Sequence, residues 1–145
     1  MDPSADIELS GQPAVLHMMY SIHGNEASGA NATPLLAYYL AAVKEDYLDV
    51  QLKNVVIILS PVLNPDGLDR FASWSNNHAG SHPSDDPNDR EHIEPSPNGR
   101  TNYYWFDLNR DWLPHQHPES RGLLKLFHSW KLSLIHISEP TRPSS

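Results

Sequence analysis

The sequence predicts an α/β fold built on parallel strands, and two short apolar runs with a helical pattern between them carry that prediction. The runs are AVLHMMYSI at 14–22 and VVIILSPVL at 55–63. Both are rich in Val, Ile or Leu and end in turn residues, as strands covered on both faces do. Between them Leu36, Tyr39, Leu40, Val43 and Tyr47 recur at helical spacing. Thr33 and Pro34 make a plausible cap and first-turn pair, and a start nearer Ala27 is the alternative. Strand, helix and strand in that order is the signature of a parallel pair.

Further along, residues 72–100 turn to Ser, Asn, Asp, His and Pro without any period, which predicts a long surface loop. Leu123, Leu124, Phe127 and Trp130 then form an amphipathic stripe, so a second helix is expected over roughly 119–131. No internal repeat is visible. Residues 132–142, LSLIHISEPTR, break the helical period with apolar alternation and run into a Pro, Thr and Ser end. Over its whole length that string resembles the translated transposase adapter of sequencing libraries. Residues 132–145 are therefore set aside from fold reasoning as a non-native tail, and residues 1–131 are read as part of one domain.

Bulk properties narrow the function. At 145 residues with 39% apolar content, the chain is the size of one ordinary domain with a lean core. Its 18 acidic and 10 basic residues give a net charge of −8, and no stripe of Lys and Arg exists to follow a phosphate backbone, so nucleic acid is excluded as partner. Without cysteine there is neither a disulfide framework nor a thiolate cage; a metal would be held by imidazole and carboxylate, a set suited to zinc. Met1 is followed by acidic DPSADIE rather than a secretory leader, and no apolar run is long enough to span a bilayer, so no membrane partner is expected. The compartment stays open.

Chemistry enters at SIHGNEASG, residues 21–29, where His23 and Glu26 stand three apart at the end of the first strand and Gly24 eases the turn between them. Such a pair can converge on one ion. Spacing alone decides little, because a chain with nine histidines and seven glutamates contains about 0.4 such pairs by chance. Three further segments follow in order: NPDG at 64–67, GRTN at 99–102 and DLNRDW at 107–112.

This ordered set resembles the zinc carboxypeptidases, metalloenzymes that remove C-terminal residues from peptides, and the likeness runs over residues 14–131. It implies a three-layer α/β/α fold with a mixed, mostly parallel sheet, here truncated, and a peptide or protein C-terminus as substrate. By this resemblance His23 and Glu26 are zinc ligands, and NPDG marks the loop leaving the second strand toward the active site. Arg100, ten residues before Arg110, would polarise the scissile carbonyl and stabilise the oxyanion. Asn109 and Arg110 would grip the substrate's free carboxylate. A guanidinium offers a fixed fork of donors to a carboxylate, and a cation beside a developing oxyanion gains strength in a water-poor pocket.

The chain departs from the family at Asp111-Trp112, where Asn-Phe often follows DLNR; an acid there would weaken binding of acidic C-termini. The family's third ligand, mobile tyrosine and catalytic glutamate are expected beyond residue 131, so the chain alone is expected to be an inactive fragment. His136 belongs to the tail and is not read as a ligand. His115 and His117 lie in a proline-flanked loop, and Tyr103, Tyr104, Trp105 and Phe106 are expected to pack behind the sheet. Two other readings stand beside the peptidase. One is a zinc acylase of the aspartoacylase and succinylglutamate desuccinylase type, which shares HGNE and DLNR but usually carries alanine near NPDG. The other is a pseudoenzyme that binds C-termini without cutting them.

Overall fold

A computed structural model describes residues 11–138. Along the chain run β1 (Ala14–Tyr20), α1 (Ser28–Ala42), α2 (Asp46–Leu52), β2 (Val55–Ser60), α3 (Pro65–His78), a 3-10 turn (Leu108–Arg110), α4 (Pro118–Trp130) and β3 (Leu134–Ser138). The strands form one sheet in the order β2-β1-β3, parallel throughout. Ala14 pairs with Val55 and Met19 with Ser60 on one side of β1; on the other, Leu16 pairs with Leu134 and Tyr20 with Ser138. The predicted α/β architecture is borne out, although the described strands hold no antiparallel member.

Helices flank the sheet. Ala37, Leu40 and Ala41 of α1 and Leu52 of α2 line one hollow with Val55, Ile57 and Leu59 of β2. Leu123 and Leu126 of α4 line another with Leu59 and Ser60. Among the described residues the buried apolar side chains are Met19, Tyr20, Ile22 and Leu108, the first three at the C-terminal end of β1. Because β1 and β2 run in register, they end side by side, and both chains leave the sheet at its carboxyl edge. In parallel α/β sheets that edge is where ligands bind.

Local structure departs from expectation in several places. The single helix predicted through Tyr47 is two, because Val43 is extended (φ −65°, ψ 140°) and the chain restarts at α2 with Asp46 and Asp49 in its first turn, where acids complement the helix dipole. The start near Ala27 holds, and Pro34 sits inside α1, with the Thr33 hydroxyl donating to the Gly29 carbonyl at 2.6 Å. The loop predicted from residue 72 begins later, since α3 runs to His78. NPDG is the start of that helix: the Asn64 side chain accepts from the Gly67 N–H and Pro65 occupies the first turn. Phe71, Trp74 and His78 stack along α3 with ring centres 5.7 and 6.0 Å apart, a stripe that Ser73, Ser75, Asn76 and Asn77 hide in the sequence. The predicted second helix is α4. Leu134–Ser138, set aside in the sequence, form β3, because alternating Leu, Ile and Ile suit a strand against β1. The rest of that tail, 139–145, lies outside the described residues.

His17 is fully buried in β1, its Nε2 2.8 Å from the Ser60 hydroxyl on β2. Burial holds its pKa below the ordinary 6.5. A base with a lowered folded-state pKa takes its proton first in the unfolded chain, so its effect on stability is absent above the unfolded value and grows as pH falls through it. Urea unfolding between about pH 8 and pH 5 is therefore expected to show stability falling below 6.5. His17→Gln should make that fall shallower, and an unchanged slope in the variant would assign the acid sensitivity elsewhere.

Candidate metal centre and arginine turn

The site grows out of the end of β1. Past Tyr20 the β1–β2 pairing continues without regular strand: Leu63 N–H donates to the Tyr20 carbonyl and Asn64 N–H to that of Ser21, both at 3.0 Å. Ser21 then takes a left-handed backbone (φ 52°), and its hydroxyl donates to the Glu26 carbonyl at 2.9 Å. Glu26 N–H closes the turn onto the His23 carbonyl at 3.0 Å. His23 and Glu26 thus face one another across a turn whose backbone is fixed at both ends.

Buried Asn64 ties this turn to the arginine turn. Besides capping α3, its amide donates to the carbonyls of Ile22 and Arg100, each at 3.3 Å. The backbones also touch directly at three glycines. A methyl group on Gly24 would lie 2.0 Å from the Gly67 carbonyl carbon, one on Gly67 2.3 Å from the Gly99 oxygen, and one on Gly99 2.7 Å from the Gly67 oxygen. From α3, Arg70 holds the far side by donating to the carbonyls of Asn98 (2.8 Å), Thr101 (3.1 Å) and Asn102 (3.2 Å).

Within this frame the His23 ring is 4% exposed, with Nδ1 3.4 Å from Glu26 Oε2 and Nε2 3.0 Å from Asp107 Oδ1. A carboxylate accepts, so Nε2 is the N–H donor to Asp107, and Nδ1 is the ring nitrogen that faces Glu26. Asp107 Oδ1 also accepts from Asn109 N–H at 2.9 Å, and Oδ2 accepts from Arg100 Nε at 3.0 Å and Nη2 at 2.8 Å. Burial would raise the Asp107 pKa. The bonds from Arg100, His23 and Asn109 and the Arg100 charge outweigh it and hold the group below the usual carboxylate range.

Of the residues expected at the site, His23 and Arg100 are joined through Asp107, a residue quoted within DLNRDW but given no role by sequence, and Glu26 faces the other ring nitrogen of His23. Asn109 and Arg110 follow in the 3-10 turn; Asn109 Oδ1 accepts from Trp112 Nε1 at 2.8 Å, and the exposed Arg110 guanidinium donates to the Asn109 carbonyl at 3.2 Å. Asp111 is a correction. Its carboxylate turns inward, fully buried, to accept from the N–H groups of Gln116 and His117 at 2.9 and 2.8 Å, so it presents no free charge beside Arg110. Although burial pushes its pKa up, those bonds prevail and lower it. His117 stacks on Phe106 with ring centres 4.4 Å apart and meets the Asn102 amide at 3.0 Å. The aromatic run is also corrected: Tyr103, Tyr104 and Trp105 are 67–69% exposed. Buried Asn102 accepts from the N–H groups of Tyr104 and Phe106, curling the segment outward with Trp105 left-handed at φ 60°.

Among the described residues no group of three or more His, Asp or Glu surrounds a point that could hold a metal. The pair fits zinc as two of its ligands: an imidazole nitrogen and a carboxylate oxygen converge, and Glu26 Oε2 is buried without a hydrogen-bond donor. Asp107 is not a third ligand, because it occupies the opposite ring nitrogen.

Known proteins support the architecture. The crystal structure of a metallo-carboxypeptidase from Burkholderia cenocepacia matches with a TM-score of 0.62 at 14% identity, covering 93% of this chain. The chain spans only 31% of that protein. Residues 6–131 match the profile of the zinc carboxypeptidases, and the chain belongs to that family. Comparison with curated proteins gives no match. No helix among the described residues is long and apolar enough to cross a membrane.

Gly67→Ala is expected to destabilise the chain by about 1–3 kcal/mol in urea unfolding, because backbone rather than a flexible side chain blocks the added methyl. Gly122→Ala in α4 has open space around it and should stabilise by roughly 0.5–1 kcal/mol. Equal effects would remove the close approach as a constraint.

Proposed function

We propose that this chain is part of a zinc-dependent metallocarboxypeptidase that hydrolyses C-terminal peptide bonds. The observation that carries the reading is the single carboxylate, Asp107, joining His23 Nε2 to the Arg100 guanidinium. In the proposed site His23 Nδ1 and Glu26 Oε2 hold the metal. When bound, zinc supplies a Lewis acid and a water of lowered pKa. Asp107 keeps the His23 proton on Nε2 and raises the basicity of Nδ1. Arg100 keeps Nη1 uncommitted among the described residues, and its side chain is 41% exposed, so it can face a carbonyl oxygen as charge develops there. Arg110, with Asn109 beside it, receives the free carboxylate of the peptide.

The chain alone is proposed not to turn over, since the described residues offer two ligands and the resemblance assigns the third, with the proton-transferring glutamate, to sequence after residue 131. The tail from 132 is proposed to be adapter-derived. The family match, which ends at residue 131, supports that reading.

Zinc titration of the full chain against a chromophoric chelator is expected to show weak binding that His23→Ala abolishes and Glu26→Gln reduces by about tenfold or more. Binding unchanged by both substitutions would overturn the metal assignment. The complete gene, read from source DNA across codon 131, is expected to encode an enzyme that trims peptides with a free C-terminus and spares amidated ones. Release of acyl groups from N-acyl amino acids without trimming would favour the acylase, and binding of C-termini without cleavage would favour the pseudoenzyme.

A further inference from the structure

A second carboxylate brackets the same two turns. Glu94 lies in the long segment after α3, and its two oxygens reach different parts of the site. Oε2 accepts from the Asn25 side-chain amide at 2.9 Å, and Oε1 accepts from the Gly99 N–H. Asn25 stands between His23 and Glu26; Gly99 immediately precedes Arg100. The neighbouring acid Glu91 turns the other way and ties its own loop, taking the N–H groups of Gly80 and Ser84. Glu91 therefore shapes the loop, whereas Glu94 joins the loop to the site.

We infer that Glu94 is a positioning residue that sets the separation of the His23–Glu26 turn from the Arg100 turn. Asp107 links those turns through the His23 and Arg100 side chains, and Glu94 links them through Asn25 and the backbone at Gly99. With the Asn64 amide on the carbonyls of Ile22 and Arg100 these make three ties at different points, and Glu94 supplies the one that runs through the long loop. Both bonds end on one side chain of the loop, and a carboxylate acceptor makes such bonds about twice as strong as a neutral acceptor would. Glu94 bonds to neither His23 nor Glu26 and acts only through their neighbours. The inference rests on the metal assignment proposed above for its effect on zinc, but its effect on the turn is independent of metal.

Two measurements on the full chain separate these. In hydrogen exchange without metal, Glu94→Ala is expected to speed exchange at the N–H groups of Glu26 and Gly99 by about tenfold or more while leaving Met19 in β1 unchanged. In zinc titration the same variant is expected to weaken binding by about 10–100-fold, the usual range for a group that orients metal ligands. Glu94→Gln, which keeps a neutral acceptor for Gly99 and none for Asn25, should recover only part of the loss; a loss that merely follows the melting temperature would make the residue a general stabiliser. Asn25→Ala cuts the bond from its other end, and its effect combined with Glu94→Ala should fall short of the sum of the two. Unchanged exchange at Glu26 and Gly99 in Glu94→Ala, or full additivity with Asn25→Ala, overturns the inference. Faster exchange in Glu94→Ala with no zinc bound by the native chain would leave the positioning role standing and remove the metal assignment.

Discussion

The carboxylate of Asp107 takes donors from every part of the site: the His23 ring, the backbone of Asn109 and two nitrogens of Arg100. Each bond has a separate consequence. The first orients the His23 ring, with Nε2 toward Asp107 and Nδ1 toward Glu26. Through the second, the chain enters the turn that carries Asn109 and Arg110. The Arg100 bonds anchor a side chain that would otherwise sample many rotamers. The carboxylate is only partly exposed, at 20%, so the four donors on its two oxygens replace much of the water it would otherwise bind.

Around that set the interior is unusually polar. His17, Ser21, His23, Thr33, Asn64, Asn102 and Asp111 are buried, against Met19, Tyr20, Ile22 and Leu108 among apolar residues. The physical reason is the irregular backbone above the sheet. Peptide groups outside helices and strands still need partners, and here side chains provide them: Asn64 for Ile22 and Arg100, Arg70 for residues 98, 101 and 102, and Asp111 for residues 116 and 117. These amides and charges act as substitutes for secondary structure. The two arginines play different parts accordingly, Arg70 buttressing carbonyls from behind while Arg100 is left partly open.

What could be read from the sequence follows the range of the forces involved. β1 and β2 were legible because their apolar runs are unbroken, although β2 is only half-buried along its length, and α4 because one face alone is apolar. α3 was obscured: its start signal, NPDG, doubles as a turn motif, and its outer face of Ser and Asn imitates a loop. Motif order led to the family, and the same order singled out His23, Glu26 and Arg100, which the structure places around Asp107. Asp107 sat inside a quoted motif, yet its role depends on reaching a histidine 84 residues earlier, which no local pattern encodes. Asp111 was misjudged for the same reason, since its partners are backbone groups that have no letter in the sequence. The outward curl of Tyr103 to Trp105 likewise follows from a buried asparagine, where apolar content alone argues for packing.

The same geometry bears on how a metal would be held. The turn at residues 21–26 is closed by its own backbone and by Ser21, docked on α3 at Gly24 and Gly67, and tied to the arginine turn by Asn64. None of those bonds passes through an ion. Ordering a flexible loop around a ligand subtracts its conformational entropy from the affinity, whereas a preformed turn avoids that loss. Affinity for an ion at this pair would then be governed by the number and orientation of the donors. Asp107 faces the other ring nitrogen, so the residue that links the two turns would also orient the imidazole toward such an ion.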